Sequence, residues 1–170
     1  MMANERAIAA VSEAIRKVLR DNVSAQEFAG VPCDIYQTSD MQKAGIEAVS
    51  IYLYRVNIDP NLRNRAPSAR GGSRSRPSLL LDLHYLLTAW GQEPVRQQVL
   101  LARAIRVMDE NPLLPSALLN QYGAAFGPTE VVQVVAESLS SEDEASIWEV
   151  AEAQRQPSLG YMARVSVGSL

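Results

Sequence analysis

His84 and Asp82 are the residues whose types and spacing come closest to catalytic chemistry. His84 is the only histidine of the chain, and a spacing of two residues in a strand places both side chains on one face. A Ser-His-Asp constellation also needs an activated serine, often displayed in a G-x-S-x-G turn, and the sequence has no such turn. Because the surrounding run is apolar, we interpret the pair as polar groups satisfied at a sheet or subunit contact. We predict no catalytic residue.

The residue types that hold metals and nucleotides are equally sparse. One histidine and one cysteine, Cys33, cannot make a closed structural zinc site, and a lone cysteine excludes an intrachain disulfide. The glycine-rich run 71–75 lacks the spacing and the lysine of a phosphate-binding loop. Asp143 and Glu144 belong to a helix start. We therefore expect no enzyme activity, no metal, no cofactor and no small-molecule substrate.

Arginine has an uneven distribution along the chain. Lys17 and Lys43 are the only lysines among 16 basic residues. Residues 55–76 contain six arginines and one acid, a balance of +5, whereas residues 111–170 contain two arginines and seven acids, a balance of −5. This distribution favours docking between complementary surfaces over binding of a polyanion.

Most of these arginines lie in a long loop predicted for residues 57–78, which is rich in glycine and proline. The candidate partner-binding residues are Arg63, Arg65, Arg70, Arg74 and Arg76. Single-strand-binding modules usually place aromatic residues between their basic ones, and none stands here, so a nucleic-acid partner is disfavoured. Three interpretations stay open: a solvated hairpin tip, a docking element for the carboxylates of a partner and a phosphate contact.

Helical periodicity and strand alternation predict the elements that position these residues. An amphipathic helix is expected over residues 3–20, with an apolar stripe opposite its charged side. A capping box of Ser141 and Glu144 predicts the start of the last helix, and one helical turn is expected near residues 116–120. Strands are expected at residues 31–37 (an edge, because of Pro32), 48–56, 79–88 (central and covered on both faces), 131–136 and 159–167.

The second helix, predicted from Pro94 to about Glu110, has two apolar faces. The first is a core stripe of Leu101, Ile105 and Met108. The second face carries valines among its arginines, which is unusual for a solvated helix. Two interpretations stay open: a subunit interface, made of Arg96, Val99, Arg103 and Val107, or a helix face that lies under a loop.

Length and composition complete the fold class. A chain of 170 residues with 47% hydrophobic and 21% charged residues and a net charge of −3 fits a single domain, residues 1–170. We predict an α/β (α+β) fold with three helices packed on a mixed, mainly antiparallel sheet of four to five strands. No apolar run is long enough to span a bilayer, and no secretory signal is visible. A cytoplasmic protein without membrane insertion is therefore expected.

Three runs of sequence carry a family resemblance: residues 49–57 with 61–64, residues 77–91 (Pro-Ser-Leu-Leu-Leu-Asp-Leu-His-Tyr-Leu-Leu-Thr-Ala-Trp-Gly) and residues 101–112. Residues 137–140 leading to Trp148, and residues 159–167, continue the match in collinear order. Together they resemble the N-terminal domain of cap, or tube-terminator, proteins of extracellular contractile injection systems of the antifeeding-prophage and virulence-cassette type.

This resemblance implies a non-enzymatic structural subunit. It implies a ring, typically a hexamer, that caps the distal end of the inner tube and sheath, stops tube growth and anchors the last sheath layer. The implied partners are further copies of the chain and the tube and sheath proteins, within a phage tail-like particle assembled in the cytoplasm. Some relatives carry a second domain, whose role we expect to be absent or supplied elsewhere. The alternative is a phage tail-terminator-like ring that contacts DNA or the head-tail connector.

Overall fold

The computed structural model describes residues 3–24, 26–42, 46–59 and 78–168. Within these ranges, six strands form one sheet. The strands are β1 (Cys33–Ile35), β2 (Ala48–Ile58), β3 (Leu79–Trp90), β4 (Leu113–Pro115), β5 (Val131–Glu137) and β6 (Ser158–Val167). The helices are α1 (Ala7–Val23), α2 (Thr38–Met41), α3 (Pro94–Glu110), α4 (Ser116–Leu119) and α5 (Ser141–Val150), with short 3-10 turns at Gln26–Phe28 and Asn120–Tyr122.

The strand order is β1-β2-β3-β6-β5-β4. β1 pairs with β2 in parallel, and every other neighbouring pair is antiparallel. The predicted mixed, mainly antiparallel sheet is therefore confirmed, with β1 at one edge and β3 in a central position. The strand count exceeds the predicted four to five because Leu113–Pro115 pairs with the start of β5. Two leucines between Pro112 and Pro115 give almost no alternation from which a strand can be predicted.

One face of the sheet packs against α1 and α3. The alternating apolar residues of β2, β3 and β6 point to this side and form the larger core with the buried stripe of α1. Val11, Ile15 and Leu19 of that stripe are each 1% exposed or less, as their helical spacing predicts. The helix begins at Ala7 instead of residue 3, and Ala3 forms a bridge to Val167 of β6.

The opposite face carries a smaller core beneath α5. Trp90 and Trp148 meet edge to face with ring centroids 5.8 Å apart, a favourable aromatic geometry. The indole N–H of Trp90 donates to the Ser50 hydroxyl at 2.8 Å. The predicted burial of Ile147, Trp148 and Ala151 is confirmed. α5 covers only part of this face, and the rest carries polar residues together with the exposed Val135.

The start of α5 differs from the prediction by one residue. Ser140, not Ser141, is the N-cap, and its hydroxyl accepts from the Asp143 backbone N–H at 3.0 Å. The Asp143 carboxylate is thereby left to accept from Arg55 at 2.9 Å. A run of two serines before acidic residues gives two possible cap positions, and tertiary contacts choose between them.

The buried face of α3 is rotated relative to the prediction. The bounds of the helix are as predicted, but its buried residues are Leu100, Ala104, Val107 and Met108. Leu101 and Ile105 are only partly buried. Val107, placed by the sequence on the outer face, is 1% exposed and belongs to the core. Small Ala104 explains the difference, because it permits close packing while contributing little to an apolar pattern.

No described helix is long and apolar enough to cross a membrane.

Candidate docking surfaces

His84 lies in a polar cluster on the sheet face that α5 leaves partly open. Its Nδ1 lies 2.7 Å from Glu137 Oε1, and its Nε2 lies 3.3 Å from the Asn57 side-chain amide. The Tyr54 hydroxyl donates to the same glutamate oxygen at 3.2 Å. The register of β2 against β3 shifts between Leu53 and Arg55, a bulge after which Arg55 and Asn57 pair with His84 and Asp82 and share their face of the sheet.

Glu137 reaches His84 by crossing β6, which separates their strands. Gly160 of β6 lies opposite both Glu137 and Leu86. A Cβ at this glycine would lie 2.9 Å from the Glu137 carbonyl oxygen and 3.3 Å from Glu137 Cγ. The missing side chain therefore gives the glutamate its path across the strand.

The hydrogen bonds define the chemistry available to His84. Nδ1 is placed to donate to the Glu137 carboxylate, and Nε2 is placed to accept from the Asn57 amide. Burial and the Glu137 charge raise the pKa of Tyr54. Within the described residues the side chains hydrogen-bonded to His84 are a carboxylate and an amide, and no serine, threonine or cysteine is among them. Its geometry fits a structural role.

Asp82, which shares a face with His84, belongs to a separate ion pair. Arg164 donates to its two carboxylate oxygens at 2.7 and 3.2 Å, and Asp59 lies 3.8 Å from the same guanidinium. The hydrogen bond from Arg164 holds the pKa of Asp82 below its ordinary value. The described residues contain no group of three or more His, Cys, Asp and Glu side chains placed to hold a metal ion.

Arg96 ties the start of α3 to two neighbouring segments. Its guanidinium donates to both carboxylate oxygens of Glu47, at 2.5 and 2.9 Å, and to the Glu27 carbonyl at 2.9 Å. It also stands 4.9 Å from the centroid of the Phe28 ring, a cation–π distance. The hydrogen bond from Arg96 lowers the pKa of Glu47. Arg96 is thus engaged within the chain.

The four residues predicted as a subunit interface do not form one exposed face. Val107 is buried, and Arg103 donates to the Asn22 carbonyl at 2.7 Å. Of the four, Val99 is the most exposed, at 43%. It aligns on α3 with Val95, which is 66% exposed, and with exposed Ala102, because residues three and four apart share a helix face. The interface role of the four residues stays a prediction.

A second exposed apolar patch lies at the far end of β2 and β3. Val56, Ile58 and Leu79 are 44%, 48% and 45% exposed. Their strand partners Leu83, Leu81 and Val167 belong to or pack against the core beneath α1 and α3. The three residues therefore continue the helix-covered face beyond the helices. Sequence reasoning missed them, although the alternation of β2 past Val56 carries the signal.

The five arginines predicted to bind a partner, Arg63 to Arg76, lie in residues 60–77, outside the described residues. Of the six arginines in residues 55–76, Arg55 of β2 lies within the described residues. It pairs with Asp143 at 2.9 Å and stands 5.7 Å from the Tyr54 ring centroid. The role of the five arginines stays a prediction.

Comparison with known proteins finds a matching family model and two solved structures with a similar fold. Residues 10–167 match a family model described as the Pvc16 N-terminal domain. The fold is similar to a solved sheath/tube terminator of PVC, an extracellular contractile injection system, in its extended state, with a TM-score of 0.62 and 22% identity over 96% of this chain. It is also similar to the tube-terminating cap of the anti-feeding prophage, with a TM-score of 0.62 and 19% identity over 94% of this chain.

The chain spans 57% and 54% of the lengths of those two solved chains. No match is found among curated protein sequences. At 22% and 19% identity the two structures show the shared fold, and the family match covers nearly the whole chain. This chain therefore belongs to the Pvc16 N-terminal domain family.

Proposed function

We propose that this chain is a structural subunit of the terminating cap of a contractile injection system. The family match over residues 10–167 carries the proposal. It is supported by the fold shared with a sheath/tube terminator and a tube-terminating cap. Asp82 and His84 are the residues whose types come closest to a catalytic pair. Asp82 is ion-paired with Arg164, and His84 is hydrogen-bonded to Glu137, so both side chains are engaged within the sheet.

In this role, copies of the chain form a hexameric ring on the distal end of the inner tube and sheath. The ring ends tube growth and anchors the last sheath layer, within a phage tail-like particle that assembles in the cytoplasm. Tube and sheath proteins and further copies of the chain are the partners. The exposed apolar patches on α3 and on β2–β3 offer surfaces for such contacts, because exposed apolar patches commonly mark protein interfaces.

The experiment assembles particles with and without this chain and measures tube length by negative-stain microscopy. Omission should broaden the distribution of tube lengths, and adding the chain back should restore one narrow length. A His84→Gln variant serves as a control that should also restore it, because His84 lies on the face of the sheet opposite Val56 and Ile58. Equal length distributions with and without the chain would contradict the proposed function.

A further inference from the structure

We propose that α5 is a lid, which lifts from the sheet and unwinds as a unit while the sheet beneath it stays folded. Opening of the lid exposes the smaller core, which contains Leu86 and Trp90 of β3. Three features of the helix support this motion, which is independent of the proposed function. They are few buried anchors, a buried N–H without a partner and a strained residue where the helix ends.

Fewer buried side chains anchor α5 than anchor the other two long helices. The buried residues of α5 are Ile147 and Trp148, whereas α1 buries eight residues and α3 buries four. The C-cap residue Ala151 adds one small buried side chain. Segments with few buried apolar contacts open at a lower free energy than the whole domain. A detached helix of ten residues is not stable in water, so lifting also unwinds it.

The polar contacts that hold α5 down are weak. Among the described residues, one ion pair joins the helix to the sheet, from Arg55 of β2 to Asp143 at 2.9 Å, and its side chains are 43% and 39% exposed. Exposed ion pairs of this kind contribute little to stability. At the other end, Gln42 donates to the carbonyl oxygen of Ala151 at 3.0 Å. Neither contact prevents the helix from opening separately from the sheet.

The indole N–H of Trp148 is buried and has no hydrogen-bond partner among the described residues. A buried donor that is left unpaired keeps the cost of its desolvation. Once the helix has lifted, water can pair with this N–H. The closed state therefore gains less from burial of Trp148 than the size of the ring implies.

The helix ends at a strained residue. Glu152 follows the C-cap and has a φ of 51°, in the left-handed region that residues with a Cβ rarely adopt. Its N–H donates to the Glu149 carbonyl oxygen at 3.0 Å, and the Ala153 N–H donates to that of Trp148 at 3.2 Å. These two bonds form a Schellman motif, in which the left-handed position is usually glycine. Unwinding of the last turn releases the strain at Glu152.

Native-state hydrogen exchange distinguishes opening of the lid from global unfolding. Backbone amides of residues 145–150 should exchange at least about a hundredfold faster than those in the middle of β3, because local opening costs less than global unfolding. The α5 rates should also respond weakly to urea, since lifting one helix exposes little surface.

An Ile15→Val variant tests whether the lid opens independently of the rest of the domain. Ile15 is 1% exposed and belongs to the core on the other face of the sheet. Loss of one methyl group there should speed exchange in β3 by roughly three- to tenfold. The α5 amides should keep their wild-type rates, because opening of the lid leaves the core around Ile15 intact.

A Glu152→Gly variant tests the strained end of the helix. Glycine adopts the left-handed conformation without the Cβ penalty, so the exchange of the α5 amides should slow by about fivefold. Glu152→Ala is the matched control, because it removes the same exposed carboxylate but keeps the Cβ. Its α5 amides should exchange as in the wild type.

Three results would overturn the lid. The first is equal exchange rates in α5 and β3 of the wild type. The second is an Ile15→Val variant in which the α5 and β3 amides accelerate by the same factor. The third is a Glu152→Gly variant whose α5 amides exchange as fast as those of Glu152→Ala.

Discussion

Substitution of His84 tests whether the polar cluster on the open sheet face is structural. The imidazole is 15% exposed, and it makes hydrogen bonds of 2.7 Å to Glu137 and 3.3 Å to Asn57. In His84→Leu both bonds are lost, and the Glu137 carboxylate keeps only the Tyr54 hydroxyl from this cluster. Loss of a hydrogen bond to a charged group costs roughly 1.5–3 kcal/mol, so the free energy of unfolding should fall by about 2 kcal/mol.

The matched variant is His84→Gln, whose amide can still donate to Glu137. Its loss should be smaller, roughly 0.5–1.5 kcal/mol, the value of one ordinary hydrogen bond. Urea unfolding of the wild type and the two variants measures the difference in unfolding free energy. An equal slope of that free energy against urea concentration in all three would show that each exposes the same surface area on unfolding. A His84→Leu variant as stable as the wild type would refute the reasoning. So would any catalytic turnover of the wild type that the substitution removes.

Three further predictions follow from other features. Gly160→Ala should lower the unfolding free energy by roughly 1–3 kcal/mol, since a new Cβ would lie 2.9 Å from the Glu137 carbonyl oxygen; an unchanged urea midpoint would contradict this. Cys33 is 3% exposed, and burial raises the pKa of its thiol to about 11, so a thiol reagent at neutral pH should label it only after denaturation. Replacing the five arginines of residues 60–77 by glutamine should keep the thermal unfolding transition but give particles with uneven ends, and normal ends would show that the loop is a solvated tip. The residues replaced are Arg63, Arg65, Arg70, Arg74 and Arg76.

Local patterns predicted most of the elements, because each depends on its own sequence. Strand alternation located β2, β3 and β6 to within two residues at each end, and Pro94 and Asn111 bounded α3. Proline marked β1 as an edge strand, which the strand order confirms. β4 escaped prediction because its three residues have a proline just before them and another at the last position, so tertiary pairing alone makes it a strand.

The surfaces depended on long-range packing and were harder to predict. Val107 looked exposed because valine at that position extends an outer stripe, yet the helix is rotated so that Val107 is buried. The contact of His84 with Glu137 joins residues 53 apart in the chain. It needs the strand order, which places β6 and Gly160 between them. Neither the rotation of a helix nor the order of strands is contained in local periodicity.

The most direct test of the cap role is a cryo-EM structure of the end of an assembled particle that contains this chain. We expect six copies of the domain in one ring on the distal end of the tube, in contact with the last tube layer and the sheath. A particle whose distal end is closed by other proteins, with this chain absent or located elsewhere, would contradict the cap role.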